Sequence, residues 1–112
     1  MGPSQRPLAE RHCRPNAPLL SAGELAALRP ELADWNMAAD RKLSKTFLFP
    51  DFRAALDFVN RAGAIAEEQG HHPDLHLAWG RVEVSTSTHD AGGLTENDFI
   101  LAARVDGAYG RP

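Results

Sequence analysis

A single cysteine, Cys13, is all the chain has for disulfide or thiolate chemistry. One thiol cannot build an intrachain disulfide framework, and its isolation fits a reducing compartment. An excess of basic charge is missing too. With 12 Lys and Arg against 15 Asp and Glu, the net charge is −3, which leaves no footprint for nucleic acid or an anionic membrane surface. No apolar run approaches the ~18 to 20 residues of a membrane span. The N-terminal stretch MGPSQRPLAERHCRPN lacks the apolar centre of a secretory leader. Glycine-rich phosphate loops, a Gly-x-Ser-x-Gly elbow, a Cys–His arrangement and an HExxH zinc motif are also absent. These absences lead to the expectation of a cytoplasmic protein. Its 112 residues suffice for one domain with a modest core that gains from association.

Residues 1–20 hold four of the eight prolines and show no period, so they read as an extended or partly disordered arm. The domain is expected over 21–107, with a frayed tail at 108–112. Ser21-Ala22-Gly23-Glu24 is a capping box for a short first helix carrying Leu25, Leu28 and Leu32, which Pro30 limits. Strands are expected over 35–39 and 42–49, joined by a turn at Asp40-Arg41. Asp51 then caps the strongest helix, running to about Gln69. Its stripe is Phe52, Leu56, Val59, Ala62 and Ala66, widened by Ala55, Phe58 and Ile65, and Gly70 stands at its C′ position. A third strand over 75–79 turns at Gly80-Arg81 into the β-branched alternation of 82–88. Thr95 opens a last helix with Phe99, Ile100, Ala103 and Val105. The order αββαββα predicts an α+β fold, a four-stranded antiparallel sheet with three helices on one face.

Five histidines are the remaining feature: His12, His71, His72, His76 and His89. A histidine in a small domain is ordinarily a solvated or core-edge residue. Here, however, His71-His72 follow the long helix and His89 follows the fourth strand. Pairing of strands three and four brings those two junctions together. Three imidazoles around one concavity can move protons near neutral pH, because the unperturbed pKa of histidine is about 6.5. A metal site competes poorly. His72 and His76 have i, i+4 spacing, but Pro73 between them argues against the continuous helix such a pair requires.

The pattern Glu67-x3-His71-His72-Pro73-x5-Trp79-x9-His89-x8-Asp98 resembles the signature of the pterin-4a-carbinolamine dehydratases. The likeness extends from about Leu25 to Val105 and includes Trp35, Lys45-Thr46-Phe47-Leu48-Phe49, Ser87-Thr88-His89 and Gly93-Leu94-Thr95. His12-Cys13-x-Pro15 is similar to the arm of many bacterial members, with Asn16 where a second cysteine is usual. Leu75-His76 departs from the Trp-Phe that many relatives carry, which bears on the pocket rim or the preference for the pterin's side chain.

The resemblance implies a lyase that dehydrates 4a-hydroxytetrahydropterin to quinonoid dihydropterin and water, recycling the pterin of aromatic amino-acid hydroxylation. It implies no metal and no cofactor, a homodimer or homotetramer, and a functional link to phenylalanine hydroxylase. His71 and His89 are implied to exchange protons with the substrate, with acid and base unassigned between them. His72 is implied to bind and orient the pterin, and Pro73 to fix the turn that aims both rings. Glu67 either orients a histidine or meets the amino-pyrimidine edge, its alternative being a solvated helix carboxylate. Trp35 and Trp79 offer aromatic surface to the ring or belong to the core. Asp98 supports the site from behind or, as N3 of the last helix, caps Thr95, and capping is the first reading of its position. A different class also stays open. Some relatives are non-catalytic interaction modules, serving as partners of a homeodomain transcription factor or in carboxylase assembly.

Overall fold

The computed structural model describes residues 6–39 and 41–110. Its elements are α1 (Ala22–Leu28), β1 (Asn36–Ala38), β2 (Lys42–Leu48), α2 (Phe52–Gln69), β3 (Asp74–Ala78), β4 (Arg81–Thr86) and α3 (Glu96–Tyr109), in the order αββαββα. Every strand pairing is antiparallel and the spatial order is β1-β2-β4-β3, so the two hairpins meet along β2 and β4. Asp40, half of the expected turn between β1 and β2, lies outside the described residues, as do 1–5 and 111–112.

Local chemistry accounts for the element ends. Ser21 accepts from Glu24 N while Glu24 accepts from Ser21 N, closing the capping box of α1. Asp51 Oδ1 accepts from Ala54 N at 2.8 Å to start α2. Gly70, at φ 66°, ends α2 in the left-handed region, and the chain turns sharply into His71. Gly80 makes the β3–β4 turn at φ 77°, where a Cβ would lie 3.3 Å from the Phe49 carbonyl oxygen.

The core lies between the sheet and helices α2 and α3, built on Leu43 and Phe47 of β2, Val82 and Val84 of β4, Phe58 of α2, and Phe99, Ile100 and Leu101 of α3. Burying each such side chain stabilises the fold by about 1.5–3 kcal/mol. The buried line of α2 is Ala55, Phe58, Ala62, Ala66 and Gln69, rotated from the expected stripe, with Phe52 43 % exposed. Alanines at three of those positions let the helix approach the sheet closely. The bulkier Leu56 and Val59 fall on its half-buried flank.

Two expected boundaries move. Leu8 is 3 % exposed and belongs to the core. Behind it, the Arg104 guanidinium donates to the Arg11 carbonyl, and Leu20 N donates to Leu94 O at 2.9 Å. The described part of the N-terminal segment is therefore packed against α3, and the fold begins well before Ser21. At the other end α3 continues past Gly107 to Tyr109. The Tyr109 hydroxyl donates to Leu48 O at 2.9 Å and its ring lies 4.9 Å from that of Phe47. Period alone did not reveal this, because α3 is covered on two sides: Asn97 to Ala102 are all buried, and no single stripe emerges.

Candidate active site

Helix α2 delivers the first two histidines. Past the left-handed Gly70, His71 N still donates to Ala66 O at 3.2 Å, which holds the junction against the helix end. Pro73, half-buried, follows immediately and keeps the pair out of helix. Successive side chains then take opposite directions. The His71 side chain is 13 % exposed, and its Nε2 lies 2.6 Å from Oδ1 of the fully buried Asp98. The His72 side chain is 60 % exposed, and its Nε2 meets Glu67 Oε2 at 2.5 Å, one turn back on α2.

His89 comes from the other side. Beyond β4 the chain forms a loop closed by Thr88 N donating to Gly93 O at 2.8 Å, and His89 opens the short 3-10 turn inside it. Its ring is exposed and makes no hydrogen bond or ion pair among the described residues. The register that sets Asp74 opposite Ser85 explains why this loop faces the His71–His72 junction. His72 and His89 line one cavity of about 280 Å³ together with Lys42, Asp74, Ser85 and Ser87. His71 borders a second, of about 610 Å³, whose other walls include Cys13, Asn16, Thr88, Asp90 and Asn97. Each of the pairs His71-His72 and Thr88-His89 thus contributes one residue to either cavity. The expected single concavity is two adjoining ones.

Asp98 joins the two cavities from behind. It caps Thr95, whose N donates to Oδ2 at 3.0 Å, and it also holds His71. The two roles weighed against each other in the sequence are both present. Thr86 Oγ1 donates to Oδ1 at 2.6 Å and Thr88 Oγ1 to Oδ2 at 2.7 Å. Sequence reasoning passed over these threonines, although alternation from Val82 and Val84 already put Thr86 and Thr88 on the inward parity. A hydroxyl on that parity needs a buried partner, and this was the signal available.

The tryptophans lie elsewhere. Trp35 is 4 % exposed, edge-on to Phe47, and its indole N–H donates to Asp106 Oδ2 at 2.9 Å; Lys45 Nζ shares that carboxylate at 2.8 Å. Trp79 is 72 % exposed at the β3–β4 turn, at the end of β3 remote from His72. His76 lies on β3 opposite Glu83 and is exposed. Cys13 is half-buried with its Sγ 3.5 Å from Asn97 O, and burial pushes its thiol up to about 11. A thiol so placed is a poor nucleophile at neutral pH. Among the described residues, no three His, Cys, Asp or Glu side chains converge on a metal position, and no helix is long and apolar enough to cross a membrane.

Fold and site define the class: a small α+β domain whose histidines, one of them gripped by a buried carboxylate, line two adjoining cavities at one end of an antiparallel sheet. Comparison with known proteins narrows it. The family model described as pterin 4 alpha carbinolamine dehydratase matches residues 18–108. A protein of Rubrobacter xylanophilus, provisionally named a pterin-4-alpha-carbinolamine dehydratase, is 48 % identical over 102 residues, 88 % of this chain and 95 % of that one. A relative of the same provisional name from Chlorobium limicola is 52 % identical over 93 residues, 80 % and 82 % of the two chains. Among solved structures, a transcriptional coactivator/pterin dehydratase from Brucella melitensis aligns with a TM-score of 0.75 at 32 % identity, covering 81 % of this chain and 98 % of that one. A pterin dehydratase-like protein identified as a RuBisCO assembly factor in the alpha-carboxysome aligns with a TM-score of 0.59 at 26 % identity, covering 70 % and 93 %. The chain belongs to the pterin-4a-carbinolamine dehydratase family, which acts on a pterin substrate.

Proposed function

We propose that this protein dehydrates 4a-hydroxytetrahydropterin, of which 4a-hydroxytetrahydrobiopterin is the reference substrate, to quinonoid dihydropterin and water by histidine acid–base catalysis. The reaction breaks the C4a–O bond while a protonated imidazole donates to the departing hydroxyl. A second imidazole takes the N5 proton, and the electrons of that N–H bond form the C4a=N5 double bond. Atoms and electrons balance without a redox partner. The carrying observation is the 2.6 Å bond from His71 Nε2 to buried Asp98, together with an exposed His89 ring that has no hydrogen-bond partner among the described residues. Each positioned acid or base contributes about 10²- to 10⁴-fold. His71 and His89 exchange the protons. His72, steadied by Glu67 and Pro73, binds the ring. Asp98 acts through His71. Trp35 is buried with its indole N–H on Asp106, and Trp79 stands beyond the opposite end of β3 from His72, so neither is assigned to the pterin in this proposal.

Its place is in a cytoplasmic cycle regenerating tetrahydropterin for an aromatic amino-acid hydroxylase such as phenylalanine hydroxylase. Self-association as a dimer or tetramer belongs to the same proposal, supported by the exposed Leu48, Phe52 and Trp79. The names of the two solved relatives favour a second reading, an interaction module on the same fold.

The test is to generate the 4a-carbinolamine in situ with a hydroxylase and follow its decay. The wild type accelerates the decay, and the double variant His71→Ala, His89→Ala leaves the uncatalysed rate. Equal acceleration by the double variant removes the mechanism. No acceleration by the wild type, with a stoichiometric protein partner recovered from the native cell, favours the interaction module.

A further inference from the structure

The geometry points to Thr86 and Thr88 as positioning residues that decide which nitrogen of His71 meets the substrate, an inference that rests on the acid–base reading above. The donors around Asp98 can be oriented from connectivity alone. The Thr88 hydroxyl has one proton, and it goes to Asp98 Oδ2 at 2.7 Å. In its contact with Thr95 Oγ1 at 2.9 Å, Thr88 must therefore accept. Thr95 Oγ1 in turn accepts from Asn97 N at 3.2 Å, so the helix start, Thr95, Thr88 and Asp98 form one chain of bonds with a single direction.

A carboxylate offers about four lone-pair positions. Thr95 N and Thr88 Oγ1 fill two on Oδ2, and Thr86 Oγ1 fills one on Oδ1 at 2.6 Å. One position remains, on Oδ1, and His71 Nε2 occupies it at 2.6 Å. An acceptor with three donors in place takes an N–H there. Neutral His71 therefore carries its proton on Nε2 and its lone pair on Nδ1, and Nδ1 is the nitrogen that receives or returns the substrate's proton. Thr86 is 3 % exposed and Asp98 is sealed, so water does not replace the Thr86 hydroxyl, and at the half-buried Thr88 a valine methyl fills the hydroxyl's place. With both hydroxyls gone, the carboxylate keeps, besides His71 itself, only the backbone donor of Thr95. It is then free to rotate, and His71 to exchange tautomers.

Long-range 1H–15N spectra of the 15N-labelled protein read the imidazole tautomer without any turnover. Expected are the Nε2–H form of His71 in the wild type and in T86S/T88S, and a mixture of tautomers in T86V/T88V. In dehydration assays T86V/T88V is expected to lose about tenfold or more in kcat with KM changed less than about twofold, and T86S/T88S to recover most of the loss. An Nδ1–H wild type overturns the inference, whether or not the valine variants fold. So does a folded T86V/T88V that keeps both tautomer and kcat. A wild type that is Nε2–H yet dehydrates nothing overturns the functional reading and leaves the tautomer assignment standing.

Discussion

The side chain of His71 is 13 % exposed and that of His72 is 60 % exposed, a contrast produced across one peptide bond at a helix end. Their carboxylate partners differ as much. The pair of His72 with Glu67 is open to water, where ion pairs contribute about 0–1 kcal/mol. Glu67→Gln is therefore expected to change stability by less than about 1 kcal/mol in urea melts. Asp98→Ala leaves two hydroxyls, an imidazole and an amide without their acceptor, at about 1–3 kcal/mol for each buried group. It is expected to destabilise by at least about 3 kcal/mol, in the manner of a broken buried network. Cys13 gives a pH prediction. Its folded thiol is raised to about 11 from 9.0, so the folded state holds a proton that the unfolded state releases between those values. Stability accordingly falls as pH rises from 9.0 to 11, and Cys13→Ser removes that part of the slope. Iodoacetamide at pH 8 should label Cys13 far more slowly in the folded than in the urea-unfolded protein; equal rates would contradict the burial.

At the scale of elements, α2 holds the site by where it stops. Gly70→Ala places a Cβ at φ 66° and is expected to cost about 1 kcal/mol in urea. It should lower activity beyond that loss, because His71 and His72 leave the turn in a different direction. Much of this organisation was legible in the chain. Both capping boxes, the Asp51 start, the Gly70 stop and the two hairpins each rest on a short run of residues whose chemistry is local. What stayed hidden depends on partners distant in sequence. The rotation of α2 follows from how closely Ala55, Ala62 and Ala66 let it approach the sheet, and residue size alone does not announce that. Support of the site by Asp98 was among the readings of the sequence, but that His71 is the residue it holds depends on a bond spanning 27 residues, and its threonine partners look like ordinary strand formers until the register is known.

For the whole molecule, the N-terminal segment has the largest consequence. The side chains of Asn97 and Arg104 on α3 find hydrogen-bond partners in it. With it Leu8 enters the core, Cys13 N donates to Gln69 Oε1 at 2.8 Å, and Arg14 exchanges two hydrogen bonds with Asn97. Prolines and missing periodicity led to the expectation of a loose arm, because a segment that packs by backbone hydrogen bonds and one leucine carries no pattern. Leu8→Ala is expected to destabilise by about 2 kcal/mol or more, where a detached arm predicts no change in the urea midpoint. The same segment walls the larger of two cavities, with His71 on it, while His72 and His89 share the smaller. Whether three imidazoles facing two adjoining spaces serve one ligand is answered by titrating the labelled protein with a stable dihydropterin and following the ring resonances of His71, His72 and His89. One ligand is predicted to move all three with a common affinity and to leave the Trp79 indole unchanged. A response confined to Trp79, or one that skips His71 and His89, contradicts the account.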